Sequence, residues 1–147
     1  MDLLLLGVAV LIGGAIGLQP TINARLGNFT GEAALAALVS TLTSSACLIL
    51  YIIISRPEVP SWGQLRLGPW WMWTGGIIGA VYVAISLNLA QRLGATVLVA
   101  VVLIGQMLAA IVIDHYGLLG LEQQSITPLR MLGVVLLIAG VILIRAF

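Results

Sequence analysis

The sequence predicts an all-α integral membrane protein built from five transmembrane helices. Five apolar stretches fill most of the chain, and each is close to the roughly 20 helical residues needed to cross a hydrocarbon core of about 30 Å. No acid or base stands near the middle of any of them: Arg25, Arg56, Arg66, Arg92, Asp114, Glu122, Arg130 and Arg145 all fall at their ends or between them. Hydrophobic residues make up 61% of the chain and charged residues 7%, with a mean hydropathy of +1.20, a balance foreign to soluble domains. Inside lipid every backbone N–H and C=O needs a partner within its own segment, so the spans are helices and not open strands. They are expected at about 3–26, 33–54, 70–90, 95–113 and 129–144, in a single transmembrane domain covering 1–147.

The first span is expected to be a mature helix. Asp2 stands where a signal peptide would carry a base, and no small-residue cleavage site follows the apolar run. The span holds Gly13, Gly14 and Gly17, then Gln19-Pro20-Thr21-Ile22-Asn23. Gln19 and Asn23 are four apart and share a face. Pro20 offers no N–H to the carbonyl of Ile16, which predicts a kink. Two amides beside a freed carbonyl suit the lining of a polar solute path. Amides as interhelical links, with glycines for close packing, are the other reading.

The second span carries Ser40, Thr41, Thr43, Ser44 and Ser45. Such hydroxyls usually bond back to the preceding turn, with solute contact as the alternative. Cys47 is the chain's single cysteine and reads as a small apolar packing residue. The connection 55–69 contains Pro57, Pro60, Gly63 and Gly68 and reads as helix-breaking. Around it Trp62, Trp70 and Trp71, with Tyr116 after the fourth span, form an expected interfacial belt. Trp73, one turn deeper, is expected to face the bundle.

On the third span Gly75, Gly79, Tyr82 and Ser86 recur at helical period as one stripe. Its glycines suit close packing, and Tyr82 suits a cavity, because a buried phenol needs a partner. The fourth span has Gly105-Gln106 near its centre. An amide at the bilayer midplane is costly unless paired, so Gln106 is expected to point inward. Asp114-His115 ends this span; interfacial anchoring is the first reading and a proton relay the second. Thr127-Pro128 marks the start of the fifth span. There Gly133 and Gly140, two turns apart on one face, would let another helix approach closely and form a dimer interface.

Alternation of five spans puts Arg56, Arg66 and Arg130 on one side and Arg25, Arg92 and Arg145 on the other. Lys/Arg bias orients helices, and here it is balanced. Two opposed copies would then make an inverted, antiparallel ten-helix homodimer, the arrangement that larger transporters reach with inverted repeats. No basic run exists for nucleic acid. No nucleophile–base set, metal-ligand spacing or phosphate loop appears, so neither an enzyme, a cofactor nor a metal is expected.

Gly17-Leu18-Gln19 with Asn23, Pro69-Trp70-Trp71 leading to Gly75-Gly76 and Gly79, and Gly105-Gln106 followed by Ile113-Asp114-His115-Tyr116-Gly117-Leu118-Leu119-Gly120 together resemble the bacterial YdcZ-like family of the drug/metabolite transporter superfamily. The resemblance covers nearly the whole chain. It implies a multi-pass protein of the bacterial inner membrane, with relatives found alone, as adjacent pairs or as ten-helix fusions. Gln91 stands where that family often has Pro. The chain is more distantly similar to small multidrug resistance proteins: Gly133 and Gly140 match the spacing of their dimerising last helix, and Tyr82 lies in a comparable third helix. Their first-helix glutamate has no counterpart here, where Gln19 and Asn23 stand instead, so carboxylate-driven cation export is not implied.

The function expected is therefore secondary transport of a small polar or amphipathic metabolite by alternating access. Gln19, Asn23, Tyr82, Ser86 and Gln106 would be substrate-binding residues between protomers near the midplane. The expected partners are a second copy, the lipid bilayer and the small-molecule substrate. Two alternatives remain. A dual-topology small-ion channel is suggested by Gly13-Gly14-Ala15-Ile16-Gly17 with Asn23 and Arg25, which resembles the first helix of fluoride channels; those have four spans and a phenylalanine-lined path, whereas only Phe29 and Phe147 occur here and neither is mid-membrane. A non-transporting membrane subunit is the other.

Overall fold

A computed structural model describes residues 3–146; the readings of Asp2 and Phe147 lie outside the described residues. The helices are α1 (Leu3–Thr30), α2 (Ala33–Ser55), a short α3 (Trp62–Arg66), α4 (Thr74–Leu93), α5 (Ala95–Tyr116) and α6 (Pro128–Ala146), with 3₁₀ turns at Trp70–Trp73 and Leu118–Gly120. Five helical segments are long and apolar enough to cross a membrane: α1, α2, Trp70–Leu93, α5 and α6.

The expected spans are all present, and their ends differ for local reasons. α1 runs through Pro20 as one helix and continues a turn past Leu26. Gly27 does not stop it; the chain turns instead at Gly31, whose φ of +78° is left-handed backbone that glycine adopts freely. The Thr30 hydroxyl donates to the Leu26 carbonyl at 3.0 Å, satisfying one acceptor at the helix end. α5 likewise extends to Tyr116 and ends on left-handed Gly117. α6 starts as expected, with Arg130 N–H donating to Thr127 Oγ1 at 3.3 Å.

The 55–69 connection is not wholly helix-free. Ser61 and Gln64 form a reciprocal capping box that starts α3. Pro57 and Pro60 break the chain before it, and Gly63 is tolerated inside it. The 3₁₀ turn that follows also corrects the placement of Trp73. A 3₁₀ turn advances about 120° per residue where an α-helix advances about 100°, so Trp73 is swung outward and is exposed, whereas Trp71 is half-buried.

The chain divides into two compact units, with the boundary between Arg92 and Leu93. In the first, α1 and α2 pack as a hairpin. Ala36, Ala37, Val83 and Leu87 form its core, with Leu26, Ala33, Tyr82 and Ala84 packed against it. In the second, α5 packs on α6, and Leu98, Val134 and Val141 are buried. Elsewhere large aliphatic side chains such as Leu4, Leu11, Ile54, Ile77 and Leu136 are exposed. Water would penalise that surface, whereas lipid tails are as apolar as the side chains themselves.

Candidate functional site

An open groove of about 590 Å³ runs between α1 and α2. α1 contributes Ile12, Ile16, Gln19, Asn23 and Leu26, and α2 contributes Val39, Ser40, Thr43 and Ser44. The i, i+4 relation of Gln19 and Asn23 brings both amides to it. Asn23 is only 5% exposed, and its side chain makes none of the hydrogen bonds found among the described residues. The residue is buried as a whole but its amide atoms are not sealed off, and they offer free donors and an acceptor to the groove.

The hydroxyls of α2 bond back to the preceding turn: Thr41 to Ala37 O at 3.0 Å, Thr43 to Val39 O at 2.8 Å, Ser44 to Ser40 O at 3.0 Å and Ser45 to Thr41 O at 2.9 Å. That spends their donors and leaves oxygen lone pairs on Thr43 and Ser44 in the groove. No ionisable side chain lines it.

The remaining expected site residues are not gathered there. Tyr82 is half-buried against the core of the first unit. Ser86 is 3% exposed and donates to Val83 O at 3.0 Å, closing its hydroxyl within α4. The stripe they share with Gly75 and Gly79 is not one packed seam. Among the described residues nothing lies within 4 Å of a Cβ built at either glycine. Gln106, on α5 in the second unit, is exposed and forms no side-chain hydrogen bond among the described residues. Gly133 is exposed and Gly140 half-buried, both with open space over their Cα atoms. They stand one residue before Val134 and Val141, the buried face of α6, so the glycines mark a neighbouring, uncovered face.

At the end of α5, Arg130 lies 3.9 Å from Asp114 and hydrogen-bonds Gln124. Gln123 donates to the His115 carbonyl at 2.8 Å. The backbone N–H of Gln124 donates to the Asp114 carbonyl at 2.7 Å. These bonds fold the following loop back onto the helix end and fit the anchoring reading. His115 Nδ1 is the one buried polar side-chain atom without a partner among the described residues.

Two further cavities belong to the first unit. Trp62, Leu65, Arg66, Gly68, Trp70 and Trp73 line one of about 420 Å³, with the Arg66 guanidinium 5.5 Å from the Trp62 ring centre. The other, about 340 Å³, is framed by Asn28, Glu32, Asn88 and Gln91 with Gly27, Gly31, Ala33 and Leu87. Sequence reasoning missed this polar cluster, because polar residues at span ends are routine. The departure at Gln91 was the available signal: its amide donates to Asn28 Oδ1 at 3.0 Å and to Ala24 O at 3.4 Å, links a proline could not make.

A family described as "Putative inner membrane exporter, YdcZ" matches residues 4–143. The chain belongs to the YdcZ family. Among curated proteins it is similar to "Inner membrane protein YdcZ" of Escherichia coli (strain K12), 27% identical over 143 residues that span 92% of this chain and 91% of that protein. No solved structure matches. This YdcZ family member is thus a multi-pass protein of the inner membrane, and its α1–α2 groove is a feature of a YdcZ chain.

Proposed function

We propose that the protein is a secondary transporter that carries a small polar or amphipathic solute by alternating access, as an inverted homodimer. The observation that carries this is Asn23: an amide without a protein partner, on a largely buried residue in the wall of a groove whose described lining offers hydrogen bonds and no charge. The description of the family as an exporter supports transport over catalysis. Gln19, Ser40, Thr43 and Ser44 complete the protomer's share of the site. Tyr82 and Ser86 lie outside the groove on α4, and Gln106 meets the solute where the second copy encloses it. Gly133 and Gly140 supply the close-approach face between copies.

The test is flux in proteoliposomes. Saturable, slow counterflow is the expected result; rapid voltage-driven current would make the protein a channel, and silence with a screened panel of neutral metabolites a non-transporting subunit. The inverted arrangement has its own expected outcome. Single cysteines at Asn28 and at Ser61, with Cys47 replaced by Ala, should each react with an impermeant thiol reagent from both sides of sealed vesicles. Reaction of each position from one side only would exclude opposed copies.

A further inference from the structure

Along α1 the groove ends at Leu26, and the polar cavity begins at the next residue, Gly27. Leu87 of α4 lines the second cavity beside Gly27. It is 1% exposed, and its Cδ2 lies 3.4 Å from where a Cβ of Gly27 would stand, with the Ala36 Cβ 3.8 Å from that same point. Leu87 packs over the α1 backbone at Gly27, an apolar contact where the lining of the groove gives way to that of the polar cavity, and both linings present amides. Just beyond it Gln91 ties α4 to the last turns of α1 through Asn28 and the Ala24 carbonyl.

Charge separates the cavities. Among the described residues, Glu32 is the single ionisable one lining either cavity. It stands at the N-cap position of α2, and its side chain makes no capping bond. Arg25 and Arg92, on the neighbouring helix ends, are exposed and line neither cavity.

We propose that the cavity at the α1–α2 turn is the aqueous entry site of the transport path, selecting neutral and cationic hydrogen-bonding solutes through Glu32, Asn28 and Asn88, and that Leu87 on Gly27, latched by Gln91, is the gate between it and the groove. This rests on the reading of the groove as the solute site. Entry requires that α4 lift from α1, which exchanges the two Gln91 hydrogen bonds and the leucine contact for solvent.

Thiol reactivity tests the site without a known substrate. In the full-length protein with Cys47→Ala, Asn88→Cys reports the entry cavity and Asn23→Cys the groove. The probes are a cationic trimethylammonioethyl and an anionic sulfonatoethyl methanethiosulfonate. At Asn88→Cys, Glu32→Gln should slow the cationic reagent about fivefold, the scale of one unit charge near 4 Å in water, and speed the anionic one by a similar factor, so their ratio falls. At Asn23→Cys, reaction should be slow and should accelerate about tenfold or more with Leu87→Ala. Leu87→Ala removes core contacts, so Gln91→Leu, at an exposed position, is the second gate variant and should accelerate the reaction in the same direction. An unchanged charge ratio in Glu32→Gln overturns the entry site, and unchanged groove reactivity in Gln91→Leu overturns the gate. If both gating results hold while Asn23→Leu transports normally, the cavities and their gate stand and the groove is not the solute site.

Discussion

Asn23→Leu is expected to give a folded protein of near-parental stability that no longer transports. Asn23 is 5% exposed and unbonded among the described residues. In the empty protein its amide atoms are open to the groove, so replacing them with the methyls of leucine should change stability little. With solute in the groove the same amide becomes a hydrogen-bonding partner, and its loss should cost about 1–3 kcal/mol, a fall of roughly ten- to hundredfold in transport efficiency. Ser86→Ala is the control. Its hydroxyl is also buried, but it is already committed to Val83 O, so uptake should change little. The measurements are thermal unfolding in detergent and uptake of a solute first identified by its stabilising effect on the purified protein. Asn23→Leu with normal uptake would remove Asn23 from the site, and parallel loss of stability and uptake would make it a packing residue.

The five spans were legible because length and missing charge are sums over about 20 residues, and no single residue can spoil them. The ends depended on single glycines, whose letter does not distinguish a stop from a packing position. Gly27 packs beneath Leu87 while Gly31 turns the chain. The Ser61–Gln64 capping box was readable and was masked by the prolines before it. Within the site, the i, i+4 pair Gln19 and Asn23 was legible because a helix face follows from spacing alone. What spacing cannot give is which neighbour a face meets. The stripe on α4 thus divides, its serine buried and its glycines uncovered. Trp73 was misplaced for a related reason: its position was counted on an α-helix, and the chain there is a 3₁₀ turn.

Gln106→Leu should assemble normally and transport poorly, whereas Asp114→Asn should be close to wild type. Gln106 lies near the centre of α5, and one copy leaves it exposed. An amide facing hydrocarbon without a partner costs several kcal/mol, so the isolated arrangement is not a comfortable state for a membrane. In the inverted pair a second copy and the solute would supply the missing partners, and the symmetry mate of Gln106 would enter from the opposite side. Leucine satisfies lipid equally well and offers a solute nothing, so dimer content should hold while uptake falls by on the order of tenfold or more, the worth of a hydrogen bond of about 1–3 kcal/mol. Asp114 is in a different position. It sits in the last turn of α5, its carboxylate is 3.9 Å from Arg130, and their side chains are 36% and 40% exposed. An ion pair that open to solvent contributes little, and the backbone bonds that hold the loop do not involve the carboxylate. Uptake by both variants at matched dimer content decides between two mechanisms. Normal transport with Gln106→Leu beside abolished transport with Asp114→Asn would sink the uncharged site, and would place the work in a carboxylate relay with His115, whose Nδ1 stands buried and unpartnered beside it.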